Sequence, residues 1–318
     1  MIRQKGLALV LVLWVLSLLT IMAGSFALSM RREASIIGGI RNNAQALAVA
    51  ESGIAVAKMM LLNTDPNKRW RADGSIYEIS SASAKVRVRL LSETGKIDIN
   101  KADQALLQGL MAHAPVEEEQ QTKLVNAILD WRDKDDLVRI EGAEKKEYKN
   151  AGLTYQPGNK PFQSIEELQL VLGMNESVFK WIEPLVTIYS GQPQVTVQLA
   201  AKEVLQTIPG LDTDLLDSYI SARLESAINN LPVPPFPSSS GQNNAAGQNN
   251  VLTLVSEALL EDESSAVISA VIKRSDETEA APFQVLKWEH VTANDASLFT
   301  EAMNELLVKQ YAEPEFNN

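Results

Sequence analysis

The residues best suited to chemistry lie in one acidic stretch, residues 130–147. Its carboxylates fall at the first, third, ninth and twelfth positions of a helix–loop calcium register. These four residues are Asp133, Asp135, Glu141 and Glu144, and Asp136 could serve as well as Asp135. Carboxylate oxygens clustered in a flexible loop suit Ca²⁺, so the pattern predicts a candidate calcium site.

The register departs from a regular EF-hand at two positions. Leu137 stands at the fifth position, where a ligand is expected, and Val138 replaces the turn glycine at the sixth. The alternative interpretation is a solvated acidic loop without a metal, balanced by basic neighbours. These neighbours are Arg132, Lys134, Arg139, Lys145 and Lys146. The residues by themselves leave both interpretations open.

Other kinds of chemistry find little support in the sequence. There is no cysteine, and the two histidines, His113 and His290, are far apart in the chain. Thiolate chemistry is therefore excluded, and a histidine-centred site is not expected. No Gly-rich phosphate loop, nucleophile elbow or zinc signature occurs. A net charge of −11 also disfavours nucleic acid as a partner, so we expect neither an enzyme nor a nucleic-acid-binding protein.

The N-terminal segment predicts a membrane-spanning helix. Residues 7–30 contain no charged side chain, while Arg3 and Lys5 precede them and Arg31 and Arg32 follow. About twenty apolar residues span a bilayer, and the leading basic residues favour a cytoplasmic N-terminus. The simplest alternative is a plain signal anchor.

The helical pattern continues beyond the membrane segment. Apolar residues at three- and four-residue steps run from Leu47 through Ile54 to Leu61, and Asp65 and Pro66 then end the pattern. The sequence thus predicts one helix of about 55 residues, half of it in lipid and half on a soluble domain. A plain anchor does not need the second half.

The soluble region predicts an α+β fold. Residues 77–91 alternate as a half-buried strand, and three later segments starting near Val251, Ser265 and Phe283 predict an antiparallel sheet. Between them, residues 101–230 show mostly helical spacing, with candidate N-caps at Asp103, Ser164 and Asn175.

The start of the chain resembles the type IV pilin and pseudopilin class, in which a glycine separates a short basic leader from an apolar helix, here QKGLALVLVLW. The resemblance implies that a prepilin peptidase cleaves after Gly6 and methylates Leu7. Pilins usually carry a glutamate at the fifth mature position, which here is Leu11. A subunit with nothing ahead of it in the filament has reason to lack that costly carboxylate.

Four features are similar to one family, the large minor pseudopilin known as general secretion pathway (type II secretion system) protein K. They are the missing glutamate and the segments QALAVAESGIAVAKMML, NAILDWRDKDD and PFQSIEELQLVLGM. A weak repeat between GKIDINKADQALLQGLM and QVTVQLAAKEVLQTIPGL fits the helical domain of that family. The resemblance implies a type IV pilin-like fold, in which a long N-terminal transmembrane helix packs on a small antiparallel sheet, with a large inserted helical domain.

The resemblance also implies a division of the chain. The expected segments are a prepilin leader (1–6), a transmembrane helix (7–30), its soluble half (31–64), the first part of the pilin β region (65–100), the inserted helical domain (101–230), a linker rich in Pro and then in Ser, Gly, Asn and Gln (231–250), and the remaining sheet with a C-terminal helix (251–318).

The function implied by the resemblance is that of a minor pseudopilin at the tip of the type II secretion pseudopilus. Such a subunit helps to initiate assembly and the export of folded proteins across the outer membrane. The implied partners are the other minor pseudopilins of the tip complex, the prepilin peptidase, the inner-membrane secretion platform and membrane lipid. The chain would cross the bacterial inner membrane once, with its soluble domain in the periplasm. Relatives in this family bind calcium in the helical domain, which implies a structural Ca²⁺ at the acidic stretch.

One alternative is a membrane-anchored periplasmic protein for DNA uptake or competence. It rests on Ile208, Pro209 and Gly210, which resemble a helix-hairpin-helix that holds DNA backbones. Asp212 and Asp214 follow directly and would repel phosphate, so we do not expect nucleic acid as a partner.

Overall fold

The structure is a computed structural model that describes residues 7–66, 68–80, 84–237, 250–275, 281–291 and 297–308. The predicted leader, residues 1–6 with Arg3, Lys5 and Gly6, lies outside the described residues. Residues 238–249 of the predicted linker also lie outside them.

Helix α1 is the single long helix that the sequence predicts, and it spans Leu7–Leu61. Its membrane-length half is exposed, whereas Ala50, Ile54 and Ala57 of its second half are buried against a sheet. Gly53 allows the close approach of helix and sheet, because a Cβ there would lie 2.3 Å from the Ser256 Oγ. The helix ends before Asn63, whose side chain accepts a hydrogen bond from the Asp65 backbone.

The main sheet has six strands in the order β7-β6-β5-β2-β1-β8. Its strands are β1 (Asp73–Ser80), β2 (Ala84–Ser92), β5 (Val251–Leu260), β6 (Ser265–Arg274), β7 (Phe283–Val291) and β8 (Leu307–Val308). The neighbouring pairs β1–β2, β2–β5, β5–β6 and β6–β7 are antiparallel, so the predicted α+β fold and the three late strands are confirmed. Helix α1 packs across β2, β5 and β6.

The prediction of one strand over residues 77–91 is wrong. Two antiparallel strands occupy this region, with Tyr77 opposite Val88. Both strands place apolar side chains on the face that lies under α1. The alternating pattern of this region therefore belongs to two neighbouring strands and not to one.

The predicted C-terminal helix is also wrong within the described residues. Only Glu301–Asn304 form a helix, α8, and the chain then enters β8, which pairs in parallel with β1. Side chains of the sheet hold this segment: Arg87 donates to the Leu298 carbonyl and to the Asn304 side chain, each at 2.8 Å. These contacts fix the backbone in a form that a continuous helix could not adopt.

The inserted region forms a second, mostly helical core. Its elements are β3 (Ile97–Asp98), α2 (Gln104–Ala112), α3 (Glu118–Arg132), α4 (Lys145–Asn150), α5 (Glu176–Ile182), β4 (Val186–Thr187), α6 (Lys202–Leu205) and α7 (Leu216–Ile228). Large buried side chains such as Leu107, Ile128 and Tyr148 fill this core. We refer to this region as the α domain.

Two of the three predicted N-caps are confirmed. The side chains of Asp103 and Asn175 accept hydrogen bonds from the first turns of α2 and α5, at 2.8 and 2.9 Å. Ser164 instead precedes a 3₁₀ helix, Ile165–Leu170, and its side chain makes no capping bond. The Glu167 carboxylate receives the Gln163 backbone N–H there, at 3.1 Å.

A buried carboxylate joins the α domain to the sheet. Glu93 accepts hydrogen bonds from Thr253 on β5, at 2.6 Å, and from Thr187 on β4. Lys96 completes the group, with its Nζ 2.7 Å from the same carboxylate. One buried charge thus connects both parts of the molecule and is itself fully paired.

Candidate functional site

The acidic stretch begins inside α3 and wraps back onto that helix. Asp130 lies in the last turn of α3 with no exposed surface. Its carboxylate accepts hydrogen bonds from the backbone N–H groups of Arg139 and Ala143, at 3.2 and 2.9 Å, and from the Arg139 Nη1, at 2.6 Å. The returning loop is therefore organised around one buried carboxylate.

Gly142 allows the loop to come this close. A Cβ at this position would lie 2.1 Å from the Asp130 Oδ2, an atom of a carboxylate that is held by three hydrogen bonds. The sequence analysis did not select Asp130 as a site residue. Its position indicates such a role, because Asp130 is a charged residue among the buried positions of α3.

Glu144 is the most perturbed carboxyl in the site. The residue is only 4% exposed, and both of its carboxylate oxygens are buried without a hydrogen-bond partner among the described residues. Burial, followed by the nearby charges of Asp130 and Asp133, raises the pKa of Glu144 to about 7. An unpaired buried carboxylate of this kind is costly unless a proton or a cation neutralises it.

The other predicted ligands lie in different surroundings. Asp133 is half-buried and forms an ion pair with Arg139, but its Oδ1 is buried without a partner among the described residues. Asp135 and Asp136 are exposed, and they accept hydrogen bonds from the Leu137 backbone and the Asn159 side chain. Asp135 and Asp136 each also raise the pKa of Glu144.

Glu141 differs from these residues in its backbone conformation. Its side chain is exposed, and its φ of +60° is unusual for a residue with a Cβ. Within the described part of the chain, no three carboxylates or imidazoles converge as a complete metal cluster. The structure pairs Asp130 and Asp133 with the same guanidinium, that of Arg139, and the charges of both carboxylates act on Glu144, whereas Glu141 is exposed.

The site nevertheless carries buried oxygen donors without a partner among the described residues. In this site they are both oxygens of Glu144 and one oxygen of Asp133. Oxygen donors of this kind are the ligands that Ca²⁺ takes, and exposed Asp135 and Asp136 lie close enough to affect the charge of Glu144. Arg139 is the only cation that the described residues supply to Asp130 and Asp133.

The N-terminal helix offers a second candidate site. Leu9–Leu61 is the one described helix that is long and apolar enough to cross a membrane, with a mean hydropathy of 2.4 in its most apolar window and none of that window buried. The chain enters helix α1 at Leu7, the residue after the expected cleavage position. Leu11 is exposed to the surroundings of the helix, and no carboxylate occurs before Glu33.

The hairpin at Ile208–Leu211 has acidic residues beside its turn and packs against α2. Gly210 adopts a φ of +75°, as the turn requires, and Asp212 and Asp214 follow as exposed residues. The hairpin packs under α2, where a Cβ on Gly109 would lie 2.4 Å from the Thr207 carbonyl oxygen. A packing role explains this motif without a nucleic acid.

Comparisons with known proteins agree with the family resemblance found in the sequence. Residues 84–191 match the family model described as type II secretion system (T2SS), protein K. A protein from Aeromonas hydrophila named type II secretion system protein K is 26% identical over 292 residues, covering 70% of this chain and 88% of that relative. A Klebsiella pneumoniae protein of the same name is 25% identical over 204 residues, covering 58% of this chain and 62% of that relative.

The crystal structure of the GspK-GspI-GspJ complex from the enterotoxigenic Escherichia coli type 2 secretion system contains a chain that overlaps this one. The overlap has a TM-score of 0.49 at 15% identity and covers 83% of this chain and 99% of that chain. The family match and both named relatives confirm the resemblance found in the sequence: residues 84–191 match the type II secretion system protein K family.

Proposed function

We propose that this protein is a minor pseudopilin at the tip of the type II secretion pseudopilus. The observation that carries the proposal is the division of α1 into two halves. The first half is apolar and exposed, as a segment in lipid must be, and the second half is buried against the sheet of the same chain. A helix of this kind fixes a folded domain rigidly above a membrane, which a plain anchor does not do.

The proposed topology is a single crossing of the inner membrane. Arg3 and Lys5 favour a cytoplasmic N-terminus, which places the sheet and the α domain in the periplasm. Prepilin peptidase would then cleave after Gly6 and methylate Leu7. The inner-membrane secretion platform and membrane lipid would surround the exposed half of the helix.

The other minor pseudopilins are the proposed partners of α1. Small residues at Ala23, Gly24 and Ala27 allow a second helix to approach closely, and a Cβ on Gly24 would meet no atom of this chain within 4 Å. Beyond the charged residues at 31–33, Ile37 and Ile40 also remain exposed on the helix. This apolar segment lies outside the expected membrane span and is suited to contact with a neighbouring helix.

Two features support a position at the tip. Leu11 lacks the carboxylate with which a pilin neutralises the N-terminal amine of a neighbouring subunit, so the chain needs no subunit ahead of it. The α domain adds a second core to the pilin-like sheet and would hinder stacking of another subunit above it. From this position the protein would help to initiate assembly and the export of folded proteins across the outer membrane. This role is structural and requires no catalysis.

The experiment that tests the proposal is the intact mass and N-terminal sequence of protein extracted from membranes, with and without active prepilin peptidase. We expect a chain that starts at methylated Leu7 only when the peptidase is active. A chain that still starts at Met1, or one that is cut near Met30, would contradict the pseudopilin proposal and favour a plain signal anchor.

We also propose that the acidic site holds one structural Ca²⁺. Glu144 and Asp133 would supply buried oxygens, and Asp135, Asp136 and Glu141 would supply ligands from the rim. The ion would supply positive charge to a site whose carboxylates raise the pKa of Glu144. Asp130 would continue to hold the loop through its backbone hydrogen bonds.

A further inference from the structure

Arg139 supplies a positive charge to the acidic site from within the chain. Its Nη1 lies 2.6 Å from an oxygen of Asp130 and also contacts an oxygen of Asp133, so one guanidinium bridges two carboxylates. The side chain belongs to the same loop as the expected ligands and is 39% exposed. A metal ion that enters this site therefore meets a resident cation.

The backbone of the loop holds Arg139 in this position. The Arg139 N–H donates to the Asp130 Oδ2 at 3.2 Å, and the Ala143 N–H donates to the same atom at 2.9 Å. The Asn126 side chain donates to the carbonyl of the next residue in the loop, Ile140, at 2.8 Å. None of these bonds uses an oxygen that is without a partner, so they hold Arg139 in place whether or not an ion binds those oxygens.

The guanidinium leaves part of the site unpaired. Asp133 contacts Arg139 through one oxygen, while its other oxygen is buried without a partner among the described residues. Both oxygens of Glu144 are also buried and unpartnered there, and this residue is only 4% exposed. In the part of the chain that the structure describes, Arg139 forms ion pairs with two of the three carboxylates and none with Glu144. The resident cation is therefore insufficient for the group when all three are ionised.

We propose that Arg139 competes with Ca²⁺ for Asp133 and thereby sets the calcium affinity of the site; this inference rests on the structural Ca²⁺ proposed above. Asp133 can offer both of its oxygens to an ion only after the guanidinium has left it. A guanidinium beside a divalent cation is also repelled by that cation. Asp130 is not a ligand in the proposed site, so Arg139 can keep this partner, and only one ion pair has to break.

The competition makes the loop less dependent on calcium. At low calcium Arg139 neutralises Asp133 and holds the loop on α3, and at high calcium the ion takes over this contact. Calcium affinity follows the charge of the ligand group, and a fixed positive charge within that group lowers it. The coupling is reciprocal: the factor by which Arg139 weakens calcium binding is the factor by which calcium weakens the stabilising effect of Arg139.

The first test measures Ca²⁺ binding by calorimetry, with full-length protein in detergent after treatment with a chelator. Arg139→Gln should bind Ca²⁺ about tenfold more tightly than the wild type, because the competing charge is gone. Arg139→Lys keeps the charge and should bind more weakly than Arg139→Gln. Lys134→Gln is the matched control, since Lys134 is exposed in the same loop and forms no ion pair among the described residues. Its affinity should differ from that of the wild type by less than about twofold.

The second test measures chemical unfolding of the same proteins in a chelator and in saturating calcium. Arg139→Gln should be less stable than the wild type in the chelator, because Asp133 loses its partner. The difference should shrink in saturating calcium, where the ion has replaced the guanidinium at Asp133. A structural role of Arg139 alone would instead reduce stability by the same amount in both conditions and would not tighten calcium binding, and that result would overturn the proposal.

The outcomes separate this inference from the calcium site itself. If the wild type binds Ca²⁺ and Glu144→Gln does not, equal or weaker binding by Arg139→Gln would overturn the competition and leave the site intact. An equal gain in Arg139→Gln and Lys134→Gln would show a general effect of charge and would also overturn it. If neither the wild type nor Arg139→Gln binds Ca²⁺, the calcium site is wrong and this inference fails with it. The N-terminal mass measurement is independent of these results.

Discussion

At the scale of single residues, the acidic site combines one satisfied buried carboxylate with one that is not. Asp130 receives two backbone N–H groups and a guanidinium, whereas Glu144 is buried and receives no hydrogen bond on either oxygen among the described residues. A carboxylate of the second kind is stable only with a proton or a cation. Glu144 is therefore the residue at which pH and calcium should both act.

Calcium should stabilise the protein through Glu144. At a calcium concentration one hundred times the dissociation constant, mass action adds about 2.7 kcal/mol to the free energy of unfolding. Thermal unfolding of full-length protein in detergent should show this increase for the wild type and a loss of most of it for Glu144→Gln. Glu176→Gln is the matched control, since Glu176 is exposed on α5 and pairs only with Lys180. An equal calcium response in the wild type and Glu144→Gln would contradict the proposed site.

The pH dependence of stability without calcium should also report Glu144. Its pKa in the folded protein is about 7, above the ordinary value of 4.5, so the folded state binds the proton more tightly. The free energy of unfolding should therefore fall as the pH rises from about 4.5 to about 7, by on the order of 1–3 kcal/mol from this group. Denaturation in a calcium chelator should show a smaller fall for Glu144→Gln. An identical profile for both proteins would disprove this assignment.

At the scale of elements, the packing of α1 on the sheet depends on a small residue. The Gly53 Cα lies against β2 and β5, where a Cβ would lie 2.3 Å from the Ser256 Oγ and 2.7 Å from the Val86 Cγ1. Interiors of proteins are packed too closely to absorb such an overlap without a shift of the backbone. The position of the membrane helix relative to the soluble domain is thus determined at this crossing.

Gly53→Ala should weaken the contact between α1 and the sheet. We expect a loss of about 1–3 kcal/mol in the free energy of unfolding, because an added methyl group overpacks the contact. Gly39→Ala is the matched control on the same helix: no atom lies within 4 Å of its Cβ position, and alanine should increase stability by about 0.5–1 kcal/mol. Chemical denaturation of both variants in detergent measures the difference. Similar changes in both variants would show that Gly53 is not a packing constraint.

At the scale of the whole molecule, Glu93 connects the two cores. Its carboxylate receives Thr253 from the sheet and Thr187 from the α domain and pairs with Lys96. Buried ion pairs add little net stability, but removal of one partner leaves the others without compensation. This junction is therefore one of the buried contacts that attach the α domain to the main sheet, together with that of Arg223 and Asp73.

Glu93→Ala should loosen the junction more than it changes either core. We expect a loss of about 3–5 kcal/mol, because Lys96 would remain as a buried charge without its partner. Hydrogen exchange should increase first at β3, β4 and the adjoining end of β5. Glu203→Ala is the control, since its pair with Arg89 is half-exposed and should contribute at most about 1 kcal/mol. Unchanged exchange at β3 and β4 in Glu93→Ala would contradict the proposed coupling.

The sequence by itself determined the features that depend on local pattern. Charge and apolar spacing predicted the limits of α1, the three late strands and the caps at Asp103 and Asn175, because helix periodicity and capping involve residues within a few positions of each other. The family resemblance was also apparent from the amino-acid sequence, since it rests on short motifs.

Only the tertiary structure decided which residues meet across the chain. The C-terminal segment became β8 because Arg87 and β1 hold it from more than two hundred residues away. Asp130 and Glu144 are both buried carboxylates, but only Asp130 has hydrogen-bond partners among the described residues. Asn126 and Asn159 hold the loop at residues 133–142 through hydrogen bonds to its carbonyl groups. Such contacts join residues that are distant in sequence, so no local pattern encodes them.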